Sequence, residues 1–235
     1  YDGTRLEARN LIGSFNPEQT RRVLLFAHWD CRPYSDHDSD AANHRKPVDG
    51  ADDGASGVGV LLEIARQLGQ KAPQVGVDIL FCDAEDYGTP EFVDSYKPDT
   101  WCLGTQFWVK NPHVKGYKAE FGILLDMVGG RNATFFREFQ SQRAAAPILE
   151  MVWSKARDLG YGKYFINAEG GAITDDHQYV ISGLRIPSID IINYDPDSKT
   201  GFAPYWHTQK DNMDNIDRET LKAVGETVLA VIYNQ

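Results

Sequence analysis

Short apolar runs alternate along this chain with segments in which apolar residues recur at helical spacing. The runs at residues 23–27 and 75–82 have the length of buried strands. Between them, residues 56–68 place their apolar side chains on one helical face, and Gly69 ends that pattern. A strand, a helix and a second strand in this order predict parallel pairing with helices packed on the sheet.

The same alternation continues to the end of the chain. Residues 121–127 and 186–192 are predicted strands, and residues 147–159 are a predicted helix closed by Gly160. Asp217 is the expected cap of a last helix. The sequence therefore predicts an α/β fold of three layers, with a mostly parallel mixed sheet flanked by helices. We expect residues 1–235 to form a single domain, since this length supports one substantial core.

The composition of the chain limits which classes of binding partner are expected. Hydrophobic residues make up 42% of the chain, as in ordinary globular proteins, and the formal net charge is -10. This acidity, without a block of Lys and Arg, argues against nucleic acid or an anionic membrane as a partner. No apolar run approaches the roughly 20 residues of a membrane span.

Because the chain begins at Tyr1, we expect an N-terminal segment to be removed or not covered by this sequence. One disulfide could form among three cysteines, but Cys82 lies in an apolar run and is expected in the core.

Acidic and histidine side chains follow the predicted strands. In chain order they are His28, Asp30, Glu85, Asp86, Asp126 and His207, and Asp53 precedes the first helix. The carboxyl ends of parallel strands share one edge of a sheet, where open α/β sheets bind ligands, so these side chains should converge. Taken singly, each fits an ordinary polar loop or a hydrogen-bonded pair. Together they indicate a site, because clustered carboxylates repel one another unless a cation compensates, and mixed Asp, Glu and His ligands suit zinc.

The segment Gly50-Ala51-Asp52-Asp53-Gly54-Ala55-Ser56-Gly57 resembles the metal-binding segment of the M28 family of zinc exopeptidases. The other acids and histidines match the rest of that family's pattern in order, and the resemblance covers about residues 10–232. It implies that Asp53, Asp86 and His207 bind the metal. It also implies an exported protein that acts on the N-termini of peptides or proteins. No feature of the sequence indicates an oligomeric state.

Two chemistries occur in that family. Glutaminyl cyclases hold one zinc ion and convert N-terminal glutamine to pyroglutamate with release of ammonia, whereas aminopeptidases hold two and hydrolyse the first peptide bond. The segments Trp206-His207-Thr208 and Asp175-Asp176-His177 are more similar to the cyclases, as is Trp101 in the loop after the acid pair. The resemblance therefore favours a glutaminyl-peptide cyclotransferase. Asp86 departs from the animal cyclases, which usually have the longer Glu at this ligand position.

On the cyclase assignment, Glu85, Asp126 and Asp175 are catalytic carboxyl groups that hold and move protons. Trp101, Trp206 and Phe202 are expected to line the substrate pocket. On the aminopeptidase assignment, His28 and Asp126 bind a second zinc ion and Asp53 bridges the two. A third possibility, a binding domain without activity, predicts missing ligands, and this sequence lacks none.

Overall fold

The computed structural model describes residues 1–235 and centres on one five-stranded sheet. The strands of this sheet are β1 Leu11–Phe15, β2 Arg22–His28, β3 Gly76–Cys82, β4 Phe121–Asp126 and β7 Ser188–Ile192. They lie in the order β1-β3-β2-β4-β7, with β1 antiparallel at the edge and the other neighbours parallel. A second, two-stranded parallel sheet consists of β5 Phe135–Arg137 and β6 Phe165–Glu169. The predicted mostly parallel mixed sheet is confirmed.

Helices cover both faces of the main sheet. They are α1 Ala55–Gln70, α2 Leu103–Lys110, α3 Phe139–Asp158, α4 Asp176–Leu184 and α5 Arg218–Tyr233. Strand β2 shows the layering, because Val23 and Leu25 belong to the core cluster shared with α1, α3 and α5. The alternate residues Leu24 and Phe26 belong to the cluster on the opposite face, beneath α2 and α4. A strand with both faces buried reads as a continuous apolar run, as the sequence showed.

Helix α3 differs from its prediction, because it begins at Phe139 and not at residue 147. The Glu138 carboxylate accepts hydrogen bonds from the backbone N–H groups of Gln140 and Ser141, which caps the earlier start. Ala145 has non-helical angles (φ -145°, ψ 38°), so the helix is kinked there. Pro147 therefore lies at the start of a second helical section, where its missing N–H costs little.

The sequence did not predict β1, α2, α4 or the small sheet. Strand β1 is an edge strand with two of its residues half-buried and three exposed, so its pattern carries little signal. Helix α4 spans only nine residues and begins where the Asp175 side chain accepts the N–H of Asp176.

All three cysteines are free, so the disulfide considered from the sequence does not form. Cys82 is fully buried, as expected. None of the helices has both the length and the apolar character needed to cross a membrane.

Candidate metal centre and pocket

The site lies at the carboxyl edge of the parallel strands. Strand β2 ends at His28 and β4 ends at Asp126, while Glu85 and Asp86 follow the end of β3. Because β2 pairs with both β3 and β4, these three strand ends are neighbours. The topology therefore brings residues that are far apart in sequence to one edge, as the sequence predicted.

The loop before α1 positions Asp53. Gly54 has φ 92°, and a Cβ there would lie 2.8 Å from the Asp30 carbonyl oxygen and 2.9 Å from the His28 ring. Only glycine fits so close an approach at a positive φ. From the other side, the Asp211 carboxylate accepts the backbone N–H of Asp52 at 2.8 Å and that of Asp53 at 3.1 Å. The Asp53 carboxylate is thus held at the start of the helix by fixed backbone geometry.

Asp53, Asp86 and His207 form the first cluster that could hold a metal. One ligand atom from each lies within 4.8 Å of the others. His207 Nε2 lies 3.3 Å from Asp53 Oδ2 and 3.2 Å from Asp86 Oδ1. All three are buried, and Asp86 Oδ2 has no hydrogen-bond partner. Two carboxylates and an imidazole around one point, with a buried oxygen left unsatisfied, fit a divalent ion such as zinc.

A second cluster adjoins the first. His28 Nε2 lies 3.0 Å from Asp53 Oδ1 and 3.2 Å from Asp126 Oδ1, while His28 Nδ1 lies 3.5 Å from Asp30 Oδ1. The two oxygens of Asp53 therefore face different histidines. This arrangement contains the residues that a second metal would need, and it equally allows a protonated His28 to bridge the two carboxylates.

The charges of these buried groups are strongly coupled. Burial disfavours the Asp53 carboxylate, but the two histidines it faces stabilise its charge and lower its pKa. Burial raises the pKa of Asp126 to about 6. Burial together with neighbouring carboxylates raises the pKa of Glu85 and of Asp175 well above the ordinary range. The raised pKa values of the acids beside the first cluster favour their protonated forms, a property that proton-carrying groups require.

Glu85, Asp175 and Cys102 lie close together beside the first cluster. One ligand atom from each of the three lies within 4.8 Å of the others. The Cys102 thiol donates a hydrogen bond to Glu85 Oε1 at 3.1 Å. The Cys102 backbone N–H donates to the Glu85 carbonyl oxygen at 2.8 Å. The carboxylate of Glu85 is thus fixed at the start of α2 and close to a second acid.

A cavity of about 420 Å³ opens onto these groups. Trp101, Trp206 and Phe202 line it together with Glu85, Asp126, Asp175 and the three residues of the first cluster. The Trp206 ring centroid lies 3.7 Å from that of His207, and Phe202 packs on Trp206 at 4.6 Å. The Trp101 ring lies 6.3 Å from His207, with the planes nearly parallel at 6°. All three predicted pocket residues therefore meet the predicted catalytic residues in one cavity.

Sequence reasoning missed several residues around the site. Arg32 and Asp36 form a buried ion pair behind the first cluster, and the Tyr205 hydroxyl donates to Asp52 Oδ2 at 2.8 Å. The hydrogen bond from Cys102 to Glu85 was not predicted either. The one available signal was the spacing of Arg32 and Asp36, four residues apart in a long polar loop, a spacing that surface loops also show.

The geometry agrees with the relatives of this chain. A profile described as Peptidase family M28 matches residues 10–232, and the chain belongs to this family. A Zn-dependent exopeptidase from Parabacteroides distasonis is 80% identical with a TM-score of 0.99, aligned over 100% of this chain and 80% of that one. Tannerella forsythia glutaminyl cyclase is 73% identical with a TM-score of 0.98, aligned over 100% of this chain and 81% of that one.

Curated relatives are more distant. Glutaminyl-peptide cyclotransferase from Bos taurus is 28% identical over 90% of this chain and 62% of its own length. The chain thus spans less than two thirds of that relative. The family and the fold follow from these matches, and the activity is taken up next.

Proposed function

We propose that this chain is a glutaminyl-peptide cyclotransferase, which closes an N-terminal glutamine of a peptide or protein into pyroglutamate and releases ammonia. The observation that carries the proposal is the pair of indoles beside His207, Trp101 and Trp206, which form apolar walls next to the proton-carrying acid Glu85. The likeness to a bacterial glutaminyl cyclase at 73% identity supports it.

One zinc ion held by Asp53, Asp86 and His207 is the cofactor of this proposal. Their spacing and burial fit the ion, and the unpartnered oxygen of Asp86 is the group it would satisfy. When bound, zinc supplies a Lewis acid that polarises a carbonyl oxygen. Asp86 is one methylene shorter than Glu, and Arg32 Nη1 donates to its carbonyl oxygen at 2.9 Å, so its backbone is held close to the cluster.

Glu85 is the proton carrier of the proposed reaction. A bond forms between the substrate's α-nitrogen and its side-chain carbonyl carbon, and the bond from that carbon to the amide nitrogen breaks. Glu85 takes the proton that the α-nitrogen loses and gives it to the departing nitrogen, which leaves as ammonia. Asp175 and Asp126 lie beside this path, and their raised pKa values suit groups that share a proton with Glu85.

The aromatic walls favour cyclisation over hydrolysis. Trp206 and Phe202 pack on one another, and the Trp101 ring lies nearly parallel to the His207 ring. Apolar surface around the reacting carbon keeps water away from it, so that the substrate's own amine, held nearby, is the attacking group.

A dizinc aminopeptidase is the second candidate, and one observation favours it. Asp53 presents one oxygen to His207 and the other to His28, which is the arrangement of a carboxylate that bridges two ions. In that case His28 and Asp126 would hold the second zinc.

Incubation with a Gln-initiated dipeptide and a Leu-initiated dipeptide separates the two functions. A cyclotransferase releases ammonia from the first and leaves the second intact, with one zinc bound per chain. Free leucine from the second dipeptide, together with two zinc ions per chain, would establish the aminopeptidase instead. The Glu85→Gln variant is the control that links either product to this site.

A further inference from the structure

Arg32 is a buried cation beside the first cluster, which consists of Asp53, Asp86 and His207. Its side chain is 2% exposed, and its Nε and Nη2 donate to the two oxygens of Asp36 at 2.7 and 2.6 Å. Such a two-point pair fixes both planar groups in one orientation. The remaining nitrogen, Nη1, donates to the Asp86 carbonyl oxygen at 2.9 Å and lies 3.5 Å from Asp86 Oδ1. One side chain therefore holds both the backbone and the carboxylate side of a proposed zinc ligand.

Asp36, the partner of Arg32, lies near a second residue of the first cluster, His207. Asp36 Oδ1 lies 3.8 Å from His207 Nδ1, the ring nitrogen that points away from the cluster. That nitrogen has no hydrogen-bond partner. A histidine that binds a metal through Nε2 usually directs its other N–H at a carboxylate, which fixes the ring and makes it a stronger ligand. Asp36 is the only carboxylate at ion-pair distance from His207 Nδ1. The Asp36 carboxylate also accepts a hydrogen bond from the backbone N–H of Glu91 at 3.0 Å.

Arg32 also supports the pocket wall. Its guanidinium carbon lies 4.7 Å from the centre of the Trp101 ring, a distance typical of a cation over an aromatic face. Gly88 packs so closely on the same indole that a Cβ there would meet it at 1.8 Å. The indole thus packs against both the guanidinium and a glycine backbone.

We propose that Arg32, through its pair with Asp36, is a positioning residue that holds Asp86, His207 and Trp101 in the geometry needed to bind zinc and enclose the substrate. This inference rests on the proposed metal centre, but not on which peptide reaction occurs there. The pair touches two of the three proposed ligands without being a ligand itself. Its loss should weaken zinc affinity before it changes the chemistry.

The test is the zinc affinity of Arg32→Lys, measured by competition with a chelator. Lysine keeps the charge but cannot hold Asp36 at two points and Asp86 at a third, so the zinc dissociation constant should rise about 10- to 100-fold. Excess zinc should restore much of kcat, whereas KM for the peptide should stay raised because Trp101 has lost its support. Asp36→Asn, which leaves Arg32 in place, should also weaken zinc binding, through His207.

Arg22→Lys is the matched control. Arg22 makes the same two-point pair with Asp78, at 2.7 and 2.6 Å, at the opposite end of β2. This control should lower stability without changing the zinc dissociation constant. Zinc affinity within twofold of wild type in both Arg32→Lys and Asp36→Asn would overturn the inference, as would an equal loss in Arg22→Lys. If Arg32→Lys fails to fold, Asp36→Asn alone decides. Wild-type enzyme that binds zinc but releases no ammonia would refute the proposed activity and leave this inference standing.

Discussion

Two buried aspartates, one within β3 and one just beyond its end, are treated in opposite ways by the structure. Asp78 lies within the strand and accepts hydrogen bonds from Arg22, from Ser14 Oγ at 2.6 Å and from Tyr117 Oη at 2.8 Å. Burial opposes its charge, but these partners lower its pKa. Asp86 is equally buried, yet one of its oxygens has no partner, and burial together with Asp53 raises its pKa.

The difference separates a structural acid from a proposed metal ligand. The fold compensates the charge of Asp78 completely, so this residue contributes to stability and needs nothing from outside. Asp86 keeps an unsatisfied oxygen beside a second carboxylate, which costs stability unless a cation binds. Substitutions at these two positions should therefore change different properties of the protein.

Asp86→Asn should have the largest effect on activity. Loss of a charged ligand should abolish tight zinc binding and lower kcat/KM by about 10³-fold or more, since the metal contributes several kcal/mol to the reaction. The zinc-free protein should unfold at the same or a higher temperature than zinc-free wild type, because a repelled charge is gone. Zinc content and thermal unfolding in a chelator measure both. A zinc-free variant that is clearly less stable than zinc-free wild type would place Asp86 with Asp78 as a structural acid.

Glu85→Gln should come next, with kcat lower by about 10²- to 10⁴-fold. Glutamine keeps the shape of the side chain and can still accept the hydrogen bond from the Cys102 thiol. It cannot carry a proton between the two nitrogens of the substrate. Zinc content should equal that of wild type, measured together with ammonia release. Loss of zinc in this variant would mean that Glu85 supports the metal and that the proton role belongs to another acid.

Asp78→Asn should act on stability alone. It leaves the Arg22 guanidinium buried without a counter-charge, which should cost about 3 kcal/mol in the free energy of unfolding. Urea unfolding measures the loss, and activity per folded molecule should match wild type because Asp78 lies away from the pocket. A loss of zinc affinity in Asp78→Asn would remove the distinction drawn between the two aspartates.

The sequence predicted the residues of the proposed metal site better than the contacts that hold them in place. Asp53 and His207 stand in a recognisable order, and strand ends in a parallel sheet must share an edge. Asp86 also stood in that order, but nothing in sequence showed its unsatisfied oxygen. The contact of Arg32 with Asp86 joins residues 54 positions apart through the conformation of a long loop, which no local pattern encodes. Strand β1 and helix α4 were missed because each is too short to show a clear period in its apolar residues.

A second compensated acid, Glu138, extends the comparison to pH. It is 1% exposed, accepts from Ser141 Oγ at 2.7 Å and from the Ile173 N–H at 3.2 Å, and faces His177 Nε2 at 3.2 Å. Burial alone would raise the pKa of this carboxyl group, but His177 and the backbone N–H groups at the start of α3 lower it to about 2, from an ordinary value of 4.5.

Because the folded pKa lies below the unfolded one, the unfolded chain takes up this proton first as the pH falls. The stabilisation by Glu138 is therefore complete above about pH 4.5 and is lost as the pH approaches about 2. Between about pH 6 and about pH 3 the loss should be about 2 kcal/mol, and Glu138→Gln should remove that part of the pH dependence. Urea unfolding of the zinc-free proteins across this range measures it, with a chelator present so that metal release does not contribute. The same slope in wild type and variant would mean that Glu138 shares its proton with its buried neighbours, as we propose for the acids beside Glu85.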